Sequence, residues 1–269
     1  MDWRLFVRRQ KMSGRKIIIS IMLLGLVTWG CVKEKPKAQD QTTEKPKKTE
    51  EKETEKEAAM GVSLQWLGHA SFKIRHDKTV IYIDPWKLKM PADEATLVLI
   101  SHSHYDHYSA EDIVKVTGPN TKLIAPPDVI ATEKGGELIA PGVTIEAGAV
   151  KVTGVAAYNT AKQFHPKSNK WVGFIIEVGG KRICYVGDTD LTDEMKTLKN
   201  IDVALLPVGG KYTMNAEEAA EATKIIKPKK AVPYHYGDIV GSRSDAEKFS
   251  QLAGCEVKIL KPGETMNLE

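Results

Sequence analysis

The stretch "SHSHYDHYS", residues 101–109, sets three histidines and an aspartate within six positions of a 269-residue chain that has seven histidines in all. It follows "ATLVLI", a run apolar enough to be a buried strand. Side chains at the end of such a strand can converge on one point while the sheet fixes their backbones. His102 and His104 stand two apart, which puts both on one side of an extended segment. Asp106 and His107 turn onward and can serve a second ion. Imidazole with carboxylate, and no cysteine beside them, suits zinc, iron or manganese.

Other strand ends supply partners. Asp188 in "CYVGDTD" and His235 in "AVPYHYGD" each follow an apolar run, and Asp188 is placed to bridge two metals. His165, in the loop "YNTAKQFHPKSNKW", is the natural third histidine for the first ion. His76, in "RHDK", reads as a solvated turn residue. His69, in "WLGHASF", reads either as a support for a ligand or as a packed histidine.

The surrounding pattern is strand-rich. "VSLQWLG", "ASFKIRH" and "TVIYIDP" are strand-like, the last two joined as a hairpin across "DK". "SAEDIVKVTG" predicts a helix capped by Ser109 and stopped by Gly118. "TKLIAP", "GVTIEAGAVKVTGVAAYN", "KWVGFIIEVGGKRICYVGDTD" and "IDVALLPVGG" predict more sheet. "NAEEAAEATKIIKP" predicts a helix capped by Asn215, "KAVPYHYGD" a strand and turn, residues 243 to 253 a last helix, and "EVKILKPG" a last strand. Two sheets between helices fit this order. A single Rossmann sheet does not, and neither "GxGxxG" nor a "GKS" or "GKT" phosphate loop is present.

The first 60 residues are of another kind. "SGRKIIISIMLLGLVTWGC", residues 13–31, has the basic start, short apolar run and terminal cysteine of an export signal, with Met1 or Met12 as its start. The 13 residues from Ile17 to Trp29 fall short of the roughly 20 that a spanning helix needs. Cys31 after Gly30 resembles a bacterial lipobox, although Thr28 and Trp29 depart from the usual pattern; an uncleaved anchor is the other reading. Residues 32–60 carry eight lysines against eight acids and almost nothing to bury, the composition of a disordered charged tether. The domain of residues 61–269 has 25 Lys and Arg against 26 Asp and Glu, so the formal charge of +4 belongs to the leader and nothing in the domain asks for nucleic acid. Cys184 and Cys255 lie in apolar runs and read as buried thiols.

"HSHYDH" at 102–107, with "GDTD" and "PYHYGD" following in order, resembles the HxHxDH signature of the metallo-β-lactamase superfamily. "WLGHASFKI", "IYIDPW" and "LPVGGKYTMNAEEAA" look like its branch of metal-dependent hydrolases related to the bacterial ascorbate-phosphate lactonase. The resemblance covers Val62 to Glu269. It implies an α+β, αββα four-layer sandwich. It also implies two divalent ions, Zn2+ with Mn2+ or Fe as alternatives: the first on His102, His104 and His165, the second on Asp106, His107 and His235, with Asp188 bridging. Asp84, in "IDPW", looks like the acid that braces a histidine ligand. Where relatives place the middle histidine, this chain has "AYNT", so Asn159 stands beside His165 as a candidate.

The expected activity is metal-dependent hydrolysis of an ester, lactone or phosphodiester in a small-molecule or lipid-like substrate, through a metal-bridging hydroxide that Asp106 helps to orient, with Asp188 bridging the ions. Tyr236 is a candidate for protonating the leaving group, and Lys211 and Tyr212 for lining the pocket. The expected location is the bacterial cell-envelope membrane, with a lipid on Cys31. The alternative is a non-catalytic metal-binding lipoprotein, for which a bridging carboxylate and a second ion would be superfluous.

Overall fold

The computed structural model describes residues 61–269. The expected export signal, Cys31 and the expected tether lie outside them.

Strand alternation builds two seven-stranded sheets. The first holds β1 (Val62–Gly68), β2 (Ser71–His76), β3 (Thr79–Ile83), β4 (Leu97–Leu99), β5 (Lys122–Ala125) and β6 (Glu137–Leu138). The second holds β7 (Thr144–Ala147), β8 (Val150–Ala156), β9 (Val172–Val178), β10 (Lys181–Tyr185), β11 (Val203–Pro207), β12 (Lys230–Tyr234) and β13 (Glu256–Val257), and β14 (Thr265–Leu268) returns to pair with β1. The orders are β14-β1-β2-β3-β4-β5-β6 and β13-β12-β11-β10-β9-β8-β7. Each sheet is antiparallel in one half and parallel in the other, the change falling at β3 and at β10. Asp84 leaves the end of β3, the histidine cluster the end of β4, Asp188 the end of β10 and His235 the end of β12. All the candidate residues on strand ends therefore come from the parallel halves, whose carboxyl ends lie together.

The period-2 pattern is read on both faces. In β3, Ile81 and Ile83 point into the core between the sheets, while Val80 and Tyr82 join a second cluster outside. That outer cluster is closed by Ile113 and Val116 of α1 (Ala110–Val116) and Val129 of α2 (Pro127–Glu133). On the far side, Ala219, Ala220 and Ile226 of α3 (Ala216–Ile226) and Phe249 of α4 (Arg243–Leu252) cover the second sheet. Burying a Leu, Ile or Phe contributes about 1.5–3 kcal/mol each, so the facing sheets dominate stability. The result is the αββα sandwich. Asn215 caps α3 reciprocally with Glu218, its Oδ1 accepting the Glu218 N–H at 2.8 Å. Ser109 caps α1 by accepting the Asp112 N–H.

Two expectations are corrected, and one helix is not expected from the sequence. The last strand is "TMNL" at 265–268, and "EVKILKPG" contributes only Glu256–Val257. Helix α2 has no sequence prediction because it buries a single side chain, Val129, and carries no helical stripe. The strand before the histidine cluster pairs only over Leu97–Leu99, although Ile100 still donates to Ile124 O at 3.0 Å. Both thiols are free, Cys184 buried and Cys255 half-buried. Among the described residues no helix is long and apolar enough to cross a membrane.

Candidate metal centre

The loop after β4 folds back at once, with the His107 and Tyr108 N–H groups donating to His104 O. This tight turn sends the side chains of 102–107 to one place. Three overlapping groups of side chains that could hold a metal result, one of them Asp84, His102 and His107, and the other two make up the centre. His102, His104 and His165 form one, and His69, Asp106, His107 and His235 the other; within each, the ligand atoms lie within 4.8 Å of one another. Asp188 stands between them. Its Oδ2 is 3.0 Å from His235 Nε2, 3.3 Å from His107 Nε2 and 3.4 Å from His165 Nε2.

His102, His107, His165 and Asp106 are each held by a hydrogen-bonded neighbour. Asp84 is fully buried, and its Oδ2 accepts from His107 Nδ1 at 2.8 Å, Ser101 Oγ at 2.5 Å and Tyr185 Oη at 2.7 Å. Its Oδ1 accepts the Ser101 N–H at 2.7 Å. A proton held on His107 Nδ1 leaves Nε2 bare and directed to the centre. Asn159 does the same for His165, its Oδ1 accepting both the backbone N–H and Nδ1–H at 3.0 Å. The Asn159 amide nitrogen donates to Asp190 Oδ1 and Tyr212 O. Its oxygen is thus engaged by the histidine. Asp106 Oδ2 accepts from His69 Nε2 at 3.0 Å, and Trp171 packs against the rings of His102 and His104 at 4.9 and 4.8 Å. His69, Asp84 and His235 all hold left-handed backbones, with φ of 47°, 44° and 61°. Such conformations persist where the surroundings over-determine them, commonly at functional sites.

Electrostatics keep Asp188, Asp106 and His102 in ligand form. Burial opposes charge on Asp188, but His107 and His235 outweigh it and hold its carboxyl well below the usual range. Burial likewise opposes charge on Asp106, while the His69 hydrogen bond and His107 bring it to about 2. Burial, then the His107 neighbour, push His102 well below the ordinary histidine value, so it stays a neutral imidazole. His107 moves the other way: burial disfavours its charge, yet Asp188 and Asp84 prevail. Buried polar atoms normally have partners. Here His107 Nε2, His165 Nε2, His235 Nε2 and Asp188 Oδ1 are buried without a hydrogen-bond partner. All four belong to the residues gathered at the centre, and all are donor atoms of the kind divalent metals take. The residue set fits a pair of such ions.

A cleft of about 200 Å³ opens onto the centre, lined by His104, Asp106, Asp188, His235, Phe164 and Tyr212. Tyr105 and Phe164 are exposed beside it. Lys211 does not line this cleft; its ammonium lies 4.9 Å from the Tyr212 ring centre. Tyr236 lies outside it too, lining a neighbouring cavity. His76 is half-buried at the end of β2 and apart from the centre. The sequence offers His69 as a support for a ligand, one of two readings, and the pairing with Asp106 agrees with it; it does not disclose that Asn159, Asp190 and Trp171 support the cluster. Only the second acid of "GDTD" hints at it, and Asp190 anchors the 159–162 loop by accepting from Asn159, Thr160 and Lys162.

A family model for the beta-lactamase superfamily domain matches residues 63–235. The chain is 36% identical over 226 residues to a UPF0173 metal-dependent hydrolase of Thermococcus onnurineus, covering 77% of this chain and all of that one. It is 33% identical to a UPF0173 metal-dependent hydrolase of Thermus thermophilus, again over 77% of this chain and the whole relative. Among solved structures, the metallo hydrolase Igni18 of Ignicoccus hospitalis superposes with a TM-score of 0.64 at 28% identity, covering 77% of this chain and 98% of that one. These likenesses point to UPF0173-type hydrolases and do not single out the lactonase branch. With the sandwich, the paired clusters and the matched residues agreeing, the chain belongs to the metallo-β-lactamase superfamily as a metal-dependent hydrolase.

Proposed function

We propose that the centre is binuclear. His102, His104 and His165 would hold one ion, and Asp106, His107 and His235 would hold the other. Asp188 would bridge them, and the substrate is an ester, lactone or phosphodiester. The observation that carries this is the placement of Asp188 Oδ2 within 3.4 Å of histidines from both clusters. Zn2+ is the proposed metal, on the imidazole-rich donor set. Divalent cations bound there supply Lewis acidity and lower the pKa of a water toward neutrality.

The chain's own residues do the rest. Asp84, Asn159 and His69 fix the rings of His107 and His165 and the carboxylate of Asp106, so little reorganisation is needed on binding. Asp106 remains a carboxylate at any pH well above 2 and can accept a hydrogen bond from the attacking water. Trp171, buried against His102 and His104, keeps bulk water from the first cluster's side. A lactone stays within the range through the likeness in sequence to the lactonase branch. Tethering to a bacterial envelope membrane through Cys31 is also part of the proposal and rests on residues 13–31 alone.

The test is hydrolysis of generic phosphodiester, phosphomonoester, carboxylic ester and lactone substrates by the metal-reconstituted chain. Metal-dependent turnover of at least one class, lost in Asp188→Asn, supports the proposal. No turnover of any class after reconstitution with Zn2+, Mn2+ and Fe2+ would overturn it and favour the metal-binding alternative.

A further inference from the structure

Nine residues line the cleft of about 200 Å³ that opens onto the metal centre, and five of them are candidate ligands. The other four are Tyr105, Phe164, Tyr212 and Ile239. No lysine, arginine, amide or aliphatic hydroxyl is among them, so their side chains offer only two phenol hydroxyls as polar groups. A charged or sugar-like group seated there would shed water and gain few partners. An apolar group would gain from burial. Exposed large apolar side chains are ordinary when scattered singly and informative when they gather. Among the described residues six are exposed, and two of the six, Tyr105 at 68% and Phe164 at 43%, stand on this one cleft.

The aromatic wall is held in place. Phe164 meets Tyr212 edge to face, with ring centres 4.7 Å apart. The two rings come from separate segments, and Asn159 ties those segments together. Its Oδ1 holds His165, the neighbour of Phe164, while its amide nitrogen donates to Tyr212 O at 2.9 Å. Asp190 fixes the same loop by accepting the Thr160 N–H at 2.9 Å. The hydrogen bonds that orient a candidate metal ligand therefore also set the wall, so little order has to be gained when a guest arrives. Lysines on these segments are engaged outside the cleft: Lys162 pairs with Asp190, and Lys211 lies 4.9 Å from the Tyr212 ring centre.

We propose that this cleft selects substrates carrying an aryl or short alkyl group beside the bond cleaved. Phe164 and Tyr212 are its principal contacts, and Tyr105 and Ile239 complete the site. The cleft holds the volume of about seven waters at about 30 Å³ each, room for one ring or a short chain and not for a long acyl tail. The selection of a substrate rests on the hydrolase proposal and narrows it; the affinity of the cleft for an apolar group does not depend on turnover.

Matched substrates on the metal-reconstituted full chain test it. The value of kcat/KM for 2-phenylethyl acetate should exceed that for ethyl acetate about tenfold or more, and γ-octalactone should exceed γ-valerolactone likewise. The 2-hydroxyethyl ester should show no gain over the ethyl ester. Phe164→Ala and Tyr212→Ala should each bring the phenyl-to-ethyl ratio within about threefold of one. Leu252→Ala, at the exposed end of α4, should leave the ratio as it is. Metal content is measured on the same samples, because Phe164 adjoins His165; Tyr212→Ala carries the test if Phe164→Ala loses metal. Calorimetry with phenylacetate and acetate on the metal-loaded chain reads the same contact without turnover. Phenylacetate should bind about tenfold tighter than acetate, and the advantage should vanish in Tyr212→Ala. That preference in binding, with no turnover of any substrate, would fault the hydrolase proposal and leave this one standing. Equal kcat/KM for the phenyl and ethyl esters with equal affinity for the two acids would overturn it. So would a preference for the 2-hydroxyethyl ester, or a phenyl preference that survives both Phe164→Ala and Tyr212→Ala.

Discussion

Replacing Asp84 by asparagine removes one charge and turns one acceptor atom into a donor at a site built entirely from donors. The carboxylate takes four hydrogen bonds, three of them on Oδ2, from His107 Nδ1, Ser101 Oγ and Tyr185 Oη. The amide oxygen can replace Oδ2 and keep those three in neutral form. The amide nitrogen must then face the Ser101 N–H at the former Oδ1 position, 2.7 Å away in the native chain, and two buried donors are left without acceptors. An unsatisfied buried donor costs about 1–3 kcal/mol and breaking a buried charged pair about 3–5 kcal/mol, so the expected destabilisation is about 3–5 kcal/mol. His107 meanwhile loses the charge that fixes its tautomer, and metal affinity should fall by roughly 10–100-fold. Denaturant unfolding measures the first effect and chelator competition the second. Tyr185→Phe is the control, since it removes one of three donors, costs about 1 kcal/mol and leaves His107 held. If Asp84→Asn lowers stability but leaves metal affinity within a factor of two, Asp84 supports the fold and not the ligand.

Other expectations follow from the same geometry. Asn159→Ala should weaken metal binding less than His165→Ala, because the first frees the ring to turn while the second removes the donor; the reverse order in chelator titrations would make Asn159 the ligand. Glu194 is brought to about 2 by Lys167 and then Tyr158. A depressed carboxylate contributes stability above its unfolded pKa, near 4.3, and loses it as pH falls toward 2. Glu194→Gln should therefore cost under about 1 kcal/mol at pH 7, the pair being largely solvent-screened, and the difference should shrink between about pH 4.5 and 2; a constant difference across that range would refute the assignment. Cys31→Ser should release the protein from membranes into the soluble fraction, and continued membrane association would favour an uncleaved anchor.

Much of the architecture is legible because period-2 alternation and strand-end clustering are local signals. "TVIYIDP" announces both its strand and the acid at its end, and "HSHYDH" announces convergence. What escapes is set by contacts distant in sequence. Whether Asn159 ligates or orients depends on His165 folding back six residues later and on Asp190 across the sheet. The pairing of His69 with Asp106 spans 37 residues and no periodicity carries it. β14 is four residues of unremarkable sequence, two of its positions exposed, that gain identity only by pairing with β1. The neighbouring cavity lined by Tyr236 is written nowhere in the sequence, since its walls come from β1, the loop after β3, the turn after β12 and the segment before β14.

Metal content per chain, measured on the wild type, His102→Ala and His235→Ala after saturation and desalting, addresses the binuclear centre most directly. The account predicts near two ions in the wild type and near one in each variant, with the fold retained by circular dichroism. One ion in the wild type, lost in both variants alike, would mean a single site and contradict the bridging role of Asp188.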